Sequence, residues 1–153
     1  MLTNTAKKER IVNSINMFTL KRKINFYDCD PAGILFYAKL FEISHSVYEE
    51  MINSLNLKKN YWINDEFVVP IIKTDGAYFK PLRAGDTVSI NLTVTLRKEN
   101  SFELTYEWIN KSGELAAKAR TVHVFVDKNR WVKIPIYADI EKGLESHQRD
   151  VNL

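Results

Sequence analysis

The clearest pattern in the chain is a strict alternation of apolar and polar residues between residues 87 and 96. It predicts a β-strand that sends five apolar side chains to one face: Val88, Ile90, Leu92, Val94 and Leu96. Residues 101–108 alternate in the same way and predict a second strand with four inward side chains: Phe102, Leu104, Tyr106 and Trp108. The turn-like residues 97–100 between them predict an antiparallel pair.

The apolar period changes from two to about 3.6 residues between Ile34 and Leu55. One side of this segment carries a wide apolar stripe, and charged or small polar residues fall between its members. Over about twenty residues this pattern predicts an amphipathic helix about 30 Å long. The stripe includes Phe36, Leu40, Val47, Met51 and Leu55.

Three further segments predict strands: residues 18–26, 115–126 and 67–79, the last with a bend or bulge at Gly76. The order is therefore one strand, a long helix, and four strands joined by short turns, which favours an antiparallel meander. A sheet with one apolar face must cover something, and the long helix is the candidate. We expect an α+β hotdog fold, a curved antiparallel sheet of about five strands wrapped around one central helix. The predicted domain spans residues 18–140, between an N-terminal arm (1–17) and a C-terminal tail (141–153).

Composition narrows the class of protein. A chain of 153 residues with 45% apolar residues fits one domain with a real core. No apolar run approaches the ~20 residues of a membrane span, and the charged first ten residues do not resemble a signal peptide. A single cysteine excludes an intrachain disulfide, so we expect a cytoplasmic protein. The net charge of +3 is spread along the chain, which argues against nucleic acid but leaves anionic small ligands open.

The chain lacks the common catalytic motifs. There is no nucleophile elbow, phosphate loop, dinucleotide fingerprint or paired-cysteine motif, and the three histidines are too scattered for a metal site. We expect neither a metal nor an organic cofactor. What remains is the segment FYDCDPAGILFY (residues 26–37), where Asp28 and Asp30 flank the only cysteine just before the helix.

Three structural or chemical interpretations of this segment compete with a catalytic aspartate. Asp30 followed by Pro31 has the residue types of a helix N-cap and first helical position, with Asp28 bracing the turn. An aspartyl-phosphate enzyme also uses two spaced aspartates, but Ala32 stands where Thr or Val is expected, and no α/β alternation follows. Cys29 is a poor nucleophile because two flanking carboxylates disfavour its thiolate.

A catalytic interpretation uses the helix start. Backbone N–H groups there carry partial positive charge and can hold a carbonyl oxygen, while the adjacent carboxylate attacks the carbonyl carbon or activates water. An aspartate is ionised at neutral pH but is a weak base, so it needs a reactive electrophile. This favours a thioester over an ester or an amide.

The segment YDCDPAGILFYAKLFE resembles the active-site segment of the 4-hydroxybenzoyl-CoA thioesterase family of hotdog hydrolases. The resemblance extends from about Leu20 to Asp139 and includes FKPLRAGD (79–86) and KARTVHVFVD (118–127). By position, Asp30 matches the family's catalytic carboxylate, acting as nucleophile or as general base. The resemblance implies that the Tyr37 backbone N–H polarises the thioester carbonyl. It also implies that Gly33 permits close approach of the substrate and that Asp28 shapes the turn.

The resemblance also suggests substrate-binding residues. The helix segment resembles a branch that hydrolyses 1,4-dihydroxy-2-naphthoyl-CoA, and His45 stands where the benzoyl-CoA enzymes recognise a ring hydroxyl. A half-buried helix histidine without a ligand is the alternative. Arg97 and Lys98, with Lys118 and Arg120, are candidate cations for coenzyme A phosphates. Ser101 is a candidate neighbour of the catalytic carboxylate, and His123 is expected to pack in the core.

The implied function is acyl-CoA thioester hydrolysis in a homodimer or homotetramer with sites between subunits. An aromatic acyl group is favoured and an aliphatic one stays open, as does the choice between coenzyme A and an acyl carrier protein. A non-catalytic hotdog module that binds the same ligands is the alternative from another class. A hotdog dehydratase would require a histidine paired with an acid near the pocket, and the sequence shows no such pair.

Overall fold

A computed structural model describes residues 17–149. The predicted N-terminal arm lies outside the described residues except for Met17. The first strand is β1 (Phe18–Lys23), and a 3₁₀ turn (Phe26–Asp28) leads to the long helix α1 (Tyr37–Ser54). The remaining strands are β2 (Phe67–Val68), β3 (Ile71–Tyr78), β4 (Thr87–Arg97), β5 (Ser101–Ile109), β6 (Leu115–Val124) and β7 (Val126–Asp127). A second helix, α2 (Ala138–Glu145), follows them.

Five strands form one antiparallel sheet in the order β1-β4-β5-β6-β3, and β2 pairs with β7 separately. The predicted hotdog architecture is confirmed. The predicted meander is right for β4, β5 and β6 but wrong for β3. That strand pairs with β6 rather than with the next strand in the chain, because the connection over residues 79–86 crosses to the other side of the sheet.

The core lies between α1 and one face of the sheet. The four inward side chains predicted on β5 are all buried, as are those predicted on β4 up to Val94. Leu96 remains 47% exposed, because a bulge between Val94 and Leu96 shifts the alternation. The indole N–H of Trp108 donates to the Ser44 hydroxyl of α1 at 3.0 Å, so the helix and the sheet are also joined by a buried hydrogen bond. No helix within residues 17–149 is long and apolar enough to cross a membrane.

Gly76 has a different role from the predicted one. The strand predicted over residues 67–79 is interrupted at Val69 and Pro70, and its irregularity lies between Ile71 and Lys73. At Gly76 the strand continues in regular register with β6. A Cβ atom at this position would lie 2.9 Å from Leu40 Cδ2 and 3.0 Å from Phe41 Cζ. Glycine is therefore required for the close approach of α1 to β3.

The C-terminal residues take part in the fold. The predicted domain boundary at residue 140 falls inside α2, whose Ile140 and Leu144 are both buried. Beyond α2, Val94 N–H donates to the His147 carbonyl at 2.9 Å, and Arg149 N–H donates to the Val94 carbonyl at 3.1 Å. Residues 147 and 149, within the segment predicted as a tail, thus form backbone hydrogen bonds with β4.

Candidate active site

Asp28 holds the loop between β1 and α1 in shape. Its side chain is fully buried and accepts a hydrogen bond from Asn25 N–H at 2.9 Å. Its carbonyl accepts from Phe36 N–H at 2.8 Å, which fixes the residue that precedes the helix. The Lys39 ammonium lies 3.8 Å from its second carboxylate oxygen. These contacts fit the predicted role of Asp28 in the turn.

Asp30 is half-buried and is not a helix cap. The N-cap of α1 is Phe36, six positions further along the chain, so the structure excludes the helix-cap interpretation of Asp30–Pro31. One carboxylate oxygen of Asp30 accepts from Ala32 N–H at 2.9 Å, and its carbonyl accepts from Gly33 N–H at the same distance. The tight turn needs Gly33 because its φ of +81° is unfavourable for other residues. This turn sets the direction of the carboxylate.

The first turn of α1 offers backbone donors beside this carboxylate. The first four N–H groups of a helix have no partner within the helix. Phe36 N–H binds the Asp28 carbonyl and Lys39 N–H binds the Phe36 carbonyl. The backbone N–H groups of Tyr37 and Ala38 have no hydrogen-bond acceptor within residues 17–149. The positive end of the helix dipole adds to the attraction of these groups for a carbonyl oxygen.

A pocket of about 470 Å³ brings these features together between the loop, the start of α1 and the end of β3. Its walls are mostly apolar or aromatic, and within the described residues its charged members are Asp30 and Lys80. It is lined by Asp30, Ile34, Leu35, Phe36, Tyr37, Tyr78, Phe79, Lys80, Pro81, Leu82 and Ala117. The pocket therefore combines an acid, a helix start and apolar walls.

The pocket includes the two predicted catalytic residues, Asp30 and Tyr37, and three residues that sequence reasoning missed. Tyr78, Phe79 and Lys80 come from the end of β3 and the residues after it, more than forty positions from Asp30 in the chain. The motif FKPLRAGD contained two of them, but nothing in its pattern indicated that it meets the Asp30 loop. The two segments are joined by an antiparallel β-bridge between Ile34 and Arg83.

The predicted substrate-binding residues lie elsewhere in the chain. His45 is exposed on α1, about 12 Å along the helix axis from Tyr37. Ser101 pairs with Val124, whereas Ala117 of the pocket pairs with Trp108, so Ser101 lies about 23 Å further along the strands. Lys98 is in the adjoining β4–β5 turn.

Arg97 is already bound within its own chain. Its guanidinium donates to the Glu141 carboxylate at 3.2 Å and to the Gln148 side chain, so it is tied to the C-terminal segment. The single chain therefore does not bring Arg97, Lys98, Ser101 or His45 to the pocket. His123 is fully buried, as predicted. Within residues 17–149 no group of three or more histidine, cysteine, aspartate or glutamate side chains is placed to hold a metal ion.

Comparison with known proteins identifies the family of the chain. The model of the thioesterase-like superfamily matches residues 24–144. The chain is 32% identical to a 1,4-dihydroxy-2-naphthoyl-CoA hydrolase of Crocosphaera subtropica over 135 residues, which cover 86% of this chain and 98% of the relative. It is 33% identical to the enzyme of the same name from Nostoc punctiforme, over 87% of this chain and 90% of the relative.

The fold is also found among solved structures. A crystal structure of a 1,4-dihydroxy-2-naphthoyl-CoA thioesterase from Synechocystis superposes with a TM-score of 0.79 at 26% identity. The match covers 90% of this chain and 98% of that one. The match to the family model includes the Asp30 loop, α1 and all the strands of the sheet except β1. This chain belongs to the thioesterase-like superfamily of hotdog proteins.

Proposed function

We propose that the protein is an acyl-CoA thioesterase with Asp30 as its catalytic carboxylate. One observation carries this proposal. Asp30 is held by Ala32 N–H in the same apolar pocket as the start of α1, where Tyr37 N–H has no acceptor within the described residues. In one pocket, the backbone N–H can bind the oxygen of a thioester carbonyl while the carboxylate acts at its carbon.

In the proposed reaction, the thioester oxygen binds the N–H groups at the start of α1, where negative charge develops on it. As general base, Asp30 takes a proton from water, and the hydroxide adds to the carbonyl carbon. The C–S bond then breaks, Asp30 passes its proton to the thiolate, which leaves as free thiol, and the carboxylic acid product releases its own proton to solvent. As nucleophile, Asp30 instead attacks the carbonyl carbon, and the C–S bond breaks to leave an acyl anhydride and a thiolate. Water then hydrolyses the anhydride, which regenerates the Asp30 carboxylate, and a proton from this water goes to the thiolate. The same two groups serve both routes.

An aromatic acyl group is the proposed substrate. Phe36, Tyr37, Tyr78 and Phe79 line the pocket, and such side chains stack well on a flat acyl ring. The relatives named above act on 1,4-dihydroxy-2-naphthoyl-CoA. We extend this to a hydroxylated aromatic acyl-CoA, with an aliphatic acyl group as the alternative.

The predicted substrate-binding residues that lie away from the pocket could reach it from a second copy of the chain. β3 is an edge strand, and nearly all of its residues are exposed. Antiparallel pairing of two β3 strands would place the Ile71 end of one sheet beside the Tyr78 end of the other. That arrangement moves the turn with Arg97, Lys98 and Ser101 towards the partner's pocket, and we propose that these residues and His45 act there. The proposed assembly is a homodimer or a pair of such dimers.

The proposal also includes the predicted location, the predicted carrier and the alternative function. A single cysteine leaves no intrachain disulfide, which fits a cytoplasmic enzyme. Coenzyme A is the proposed carrier, and an acyl carrier protein is the alternative. A non-catalytic acyl-CoA-binding module is the second candidate function, because the same pocket could hold an acyl group without turnover.

The test is thiol release from a panel of acyl-CoAs by the native protein and by Asp30→Asn. The panel spans benzoyl, hydroxybenzoyl and hydroxynaphthoyl groups and aliphatic chains of increasing length. We expect turnover of an aromatic substrate, with kcat reduced roughly 10²- to 10⁴-fold in Asp30→Asn because the base or nucleophile is lost. Asp65→Asn is the matched control, since Asp65 is exposed and away from the pocket. It should keep full activity.

Two results would contradict the proposal. Equal rates for Asp30→Asn and the native protein would remove Asp30 from the reaction. Binding of acyl-CoA without thiol release from any member of the panel would make the protein a binding module.

A further inference from the structure

Tyr78, the last residue of β3, ties the edge of the sheet to the first turn of α1. Its phenol O–H donates to the Tyr37 carbonyl oxygen at 2.6 Å, and the residue lines the same pocket as Asp30. Its backbone is fixed by pairing with Ala117 of β6. The N–H groups of the next two residues, Phe79 and Lys80, both donate to the Ala116 carbonyl. The phenol thus reaches the helix start from a rigid strand end.

This hydrogen bond acts on one peptide unit. The Tyr37 carbonyl and the Ala38 N–H belong to the same peptide group at the start of α1. A carbonyl that accepts a hydrogen bond polarises its peptide and strengthens the N–H on the other side as a donor. Ala38 N–H has no acceptor within residues 17–149, and it directly follows Tyr37, which lines the pocket.

The phenol keeps its proton under working conditions. Burial raises the pKa of Tyr78, and the neighbouring Tyr37 raises it further. Tyr78 therefore acts as a hydrogen-bond donor throughout the neutral range and not as a proton acceptor.

We propose that Tyr78 is a positioning residue for the oxyanion site of this enzyme. Its phenol fixes the Tyr37 carbonyl, which holds the first turn of α1 and its Tyr37 N–H in place for the thioester oxygen, and it polarises the Tyr37–Ala38 peptide, which strengthens the Ala38 N–H. This inference rests on the proposed function, because it assigns Tyr78 a part in thioester hydrolysis. Tyr78 acts through the helix start and does not need to touch the reacting atoms.

The expected kinetic signature follows from where charge develops. The thioester oxygen becomes strongly negative only in the transition state, so a weakened donor affects kcat more than substrate binding. Loss of a direct oxyanion donor costs about 10²- to 10³-fold, and an indirect contribution should be smaller. We expect Tyr78→Phe to lower kcat roughly tenfold with KM unchanged.

The experiment measures kcat, KM and the urea midpoint of Tyr78→Phe on the best acyl-CoA of the panel. Tyr137→Phe is the matched control, because it also loses one phenol hydrogen bond, at 2.8 Å to Glu66, but lies outside the pocket. The control should keep kcat, and both variants should keep the fold.

A second measurement tests the polarisation itself. Site-specific 3-fluorotyrosine at position 78 is a more acidic phenol and a stronger donor, so kcat should rise in the order Phe, Tyr, fluorotyrosine. A purely structural role for the ring would not produce this order.

The outcomes separate the two proposals. Native turnover with an unchanged kcat in Tyr78→Phe, or with an increase in KM alone, would overturn the role of Tyr78 and leave the thioesterase intact. An absence of thiol release by the native protein from every acyl-CoA would overturn the proposed function, and this inference with it.

Discussion

His123 occupies a buried position between the sheet and α1. Its ring stacks on Phe102 with centroids 4.7 Å apart and lies 4.6 Å from the ring of Tyr48. Its Nε2 shares a hydrogen bond with the Thr121 hydroxyl at 2.7 Å. Burial, with a smaller effect of His45, lowers the pKa of His123 from 6.5 to about 3. The fold therefore holds this imidazole neutral.

The stability of the protein should consequently fall in acid. Below pH 6.5 the unfolded chain binds a proton on His123 that the native state does not bind until about pH 3. The contribution of the neutral imidazole is complete above pH 6.5 and is lost as the pH falls from 6.5 towards 3. Between pH 6.5 and 5 we expect a loss of about 2 kcal/mol in the free energy of unfolding from this residue.

Urea unfolding at several pH values checks this expectation. His123→Gln keeps a side chain able to bond Thr121 but cannot titrate, so its stability should depend less on pH in this interval. The same pH dependence in both proteins would show that His123 is not the titrating group.

The two aspartates of the loop illustrate what residue-level reasoning could and could not decide. Both precede the helix in the sequence, and either one fits a capping role by residue type. The structure separates them by burial, since the Asp28 carboxylate is fully buried beside Asn25 N–H and Lys39, whereas Asp30 lines the pocket. The end of the same loop is joined to residues 82–83 through Ile34 and Leu35, and the local sequence pattern does not indicate this tertiary contact.

Among the secondary-structure elements, β3 contacts α1 tightly at one position. The contact is centred on Gly76, above the side chains of Leu40 and Phe41. Leu40 is fully buried, so it has little room to move aside. A methyl group at Gly76 would therefore force these side chains, or the backbone around them, to shift.

We expect Gly76→Ala to destabilise the protein by about 1–3 kcal/mol, because overpacking of a filled core forces side chains or backbone to shift. The measurement is the free energy of unfolding in urea, compared with Thr74→Ala on the same strand. Thr74 is exposed, so its substitution should change stability far less. A stability of Gly76→Ala equal to the native value would show that the helix adjusts without strain.

The elements of the sheet and the long helix were predictable from their periods, but the pairing of β3 was not. Burial on one side produces a periodic pattern of apolar residues in the sequence. This pattern is the alternation in β4 and β5 and the apolar stripe in α1. The pairing of β3 with β6 depends on a connection that crosses the sheet, and no residue type marks such a crossing. The role of Gly76 was missed for the same reason, because a close approach involves two elements and the pattern describes only one.

Within residues 17–149, no strand pairs with the outer edge of β3. β3 exposes large apolar side chains, with Ile72 63% exposed and Tyr78 48% exposed, and Tyr37 beside it is 65% exposed. An exposed apolar edge strand is a site for pairing with another chain. This surface continues into the pocket, so assembly and activity should be linked.

We expect the protein to be dimeric or tetrameric in solution, and Ile72→Glu to shift it towards monomer because a charged carboxylate would replace an exposed apolar side chain at each end of the paired edges. Light scattering after size exclusion measures the mass, and the same samples are assayed for thiol release. Val132→Glu adds a carboxylate at a position of similar character (47% exposed) away from β3 and should leave the assembly intact. A native protein that is monomeric and fully active would contradict the shared-site arrangement.

At the scale of the molecule, the sequence indicated the Asp30 loop but not the pocket around it. Asp30 and Tyr37 are seven positions apart, and their meeting needs only a loop and a helix start. Tyr78, Phe79 and Lys80 meet them through tertiary folding, and the proposed roles of Arg97, Lys98 and Ser101 require a second chain. A local sequence pattern can predict residues that meet within one loop, but not residues that meet through tertiary folding or through a second chain.

The order of strands in the sheet also has a consequence for how the chain is made. Phe18 of β1 pairs with Leu92 of β4, and Thr74 of β3 pairs with Thr121 of β6. During synthesis both outer strands therefore leave the ribosome well before the strands that pair with them. Until residues 87–124 follow, the apolar face of α1 has no sheet to cover it. A nascent chain stalled in this interval displays its future core, and chaperones would bind it there rather than at any surface of the finished protein.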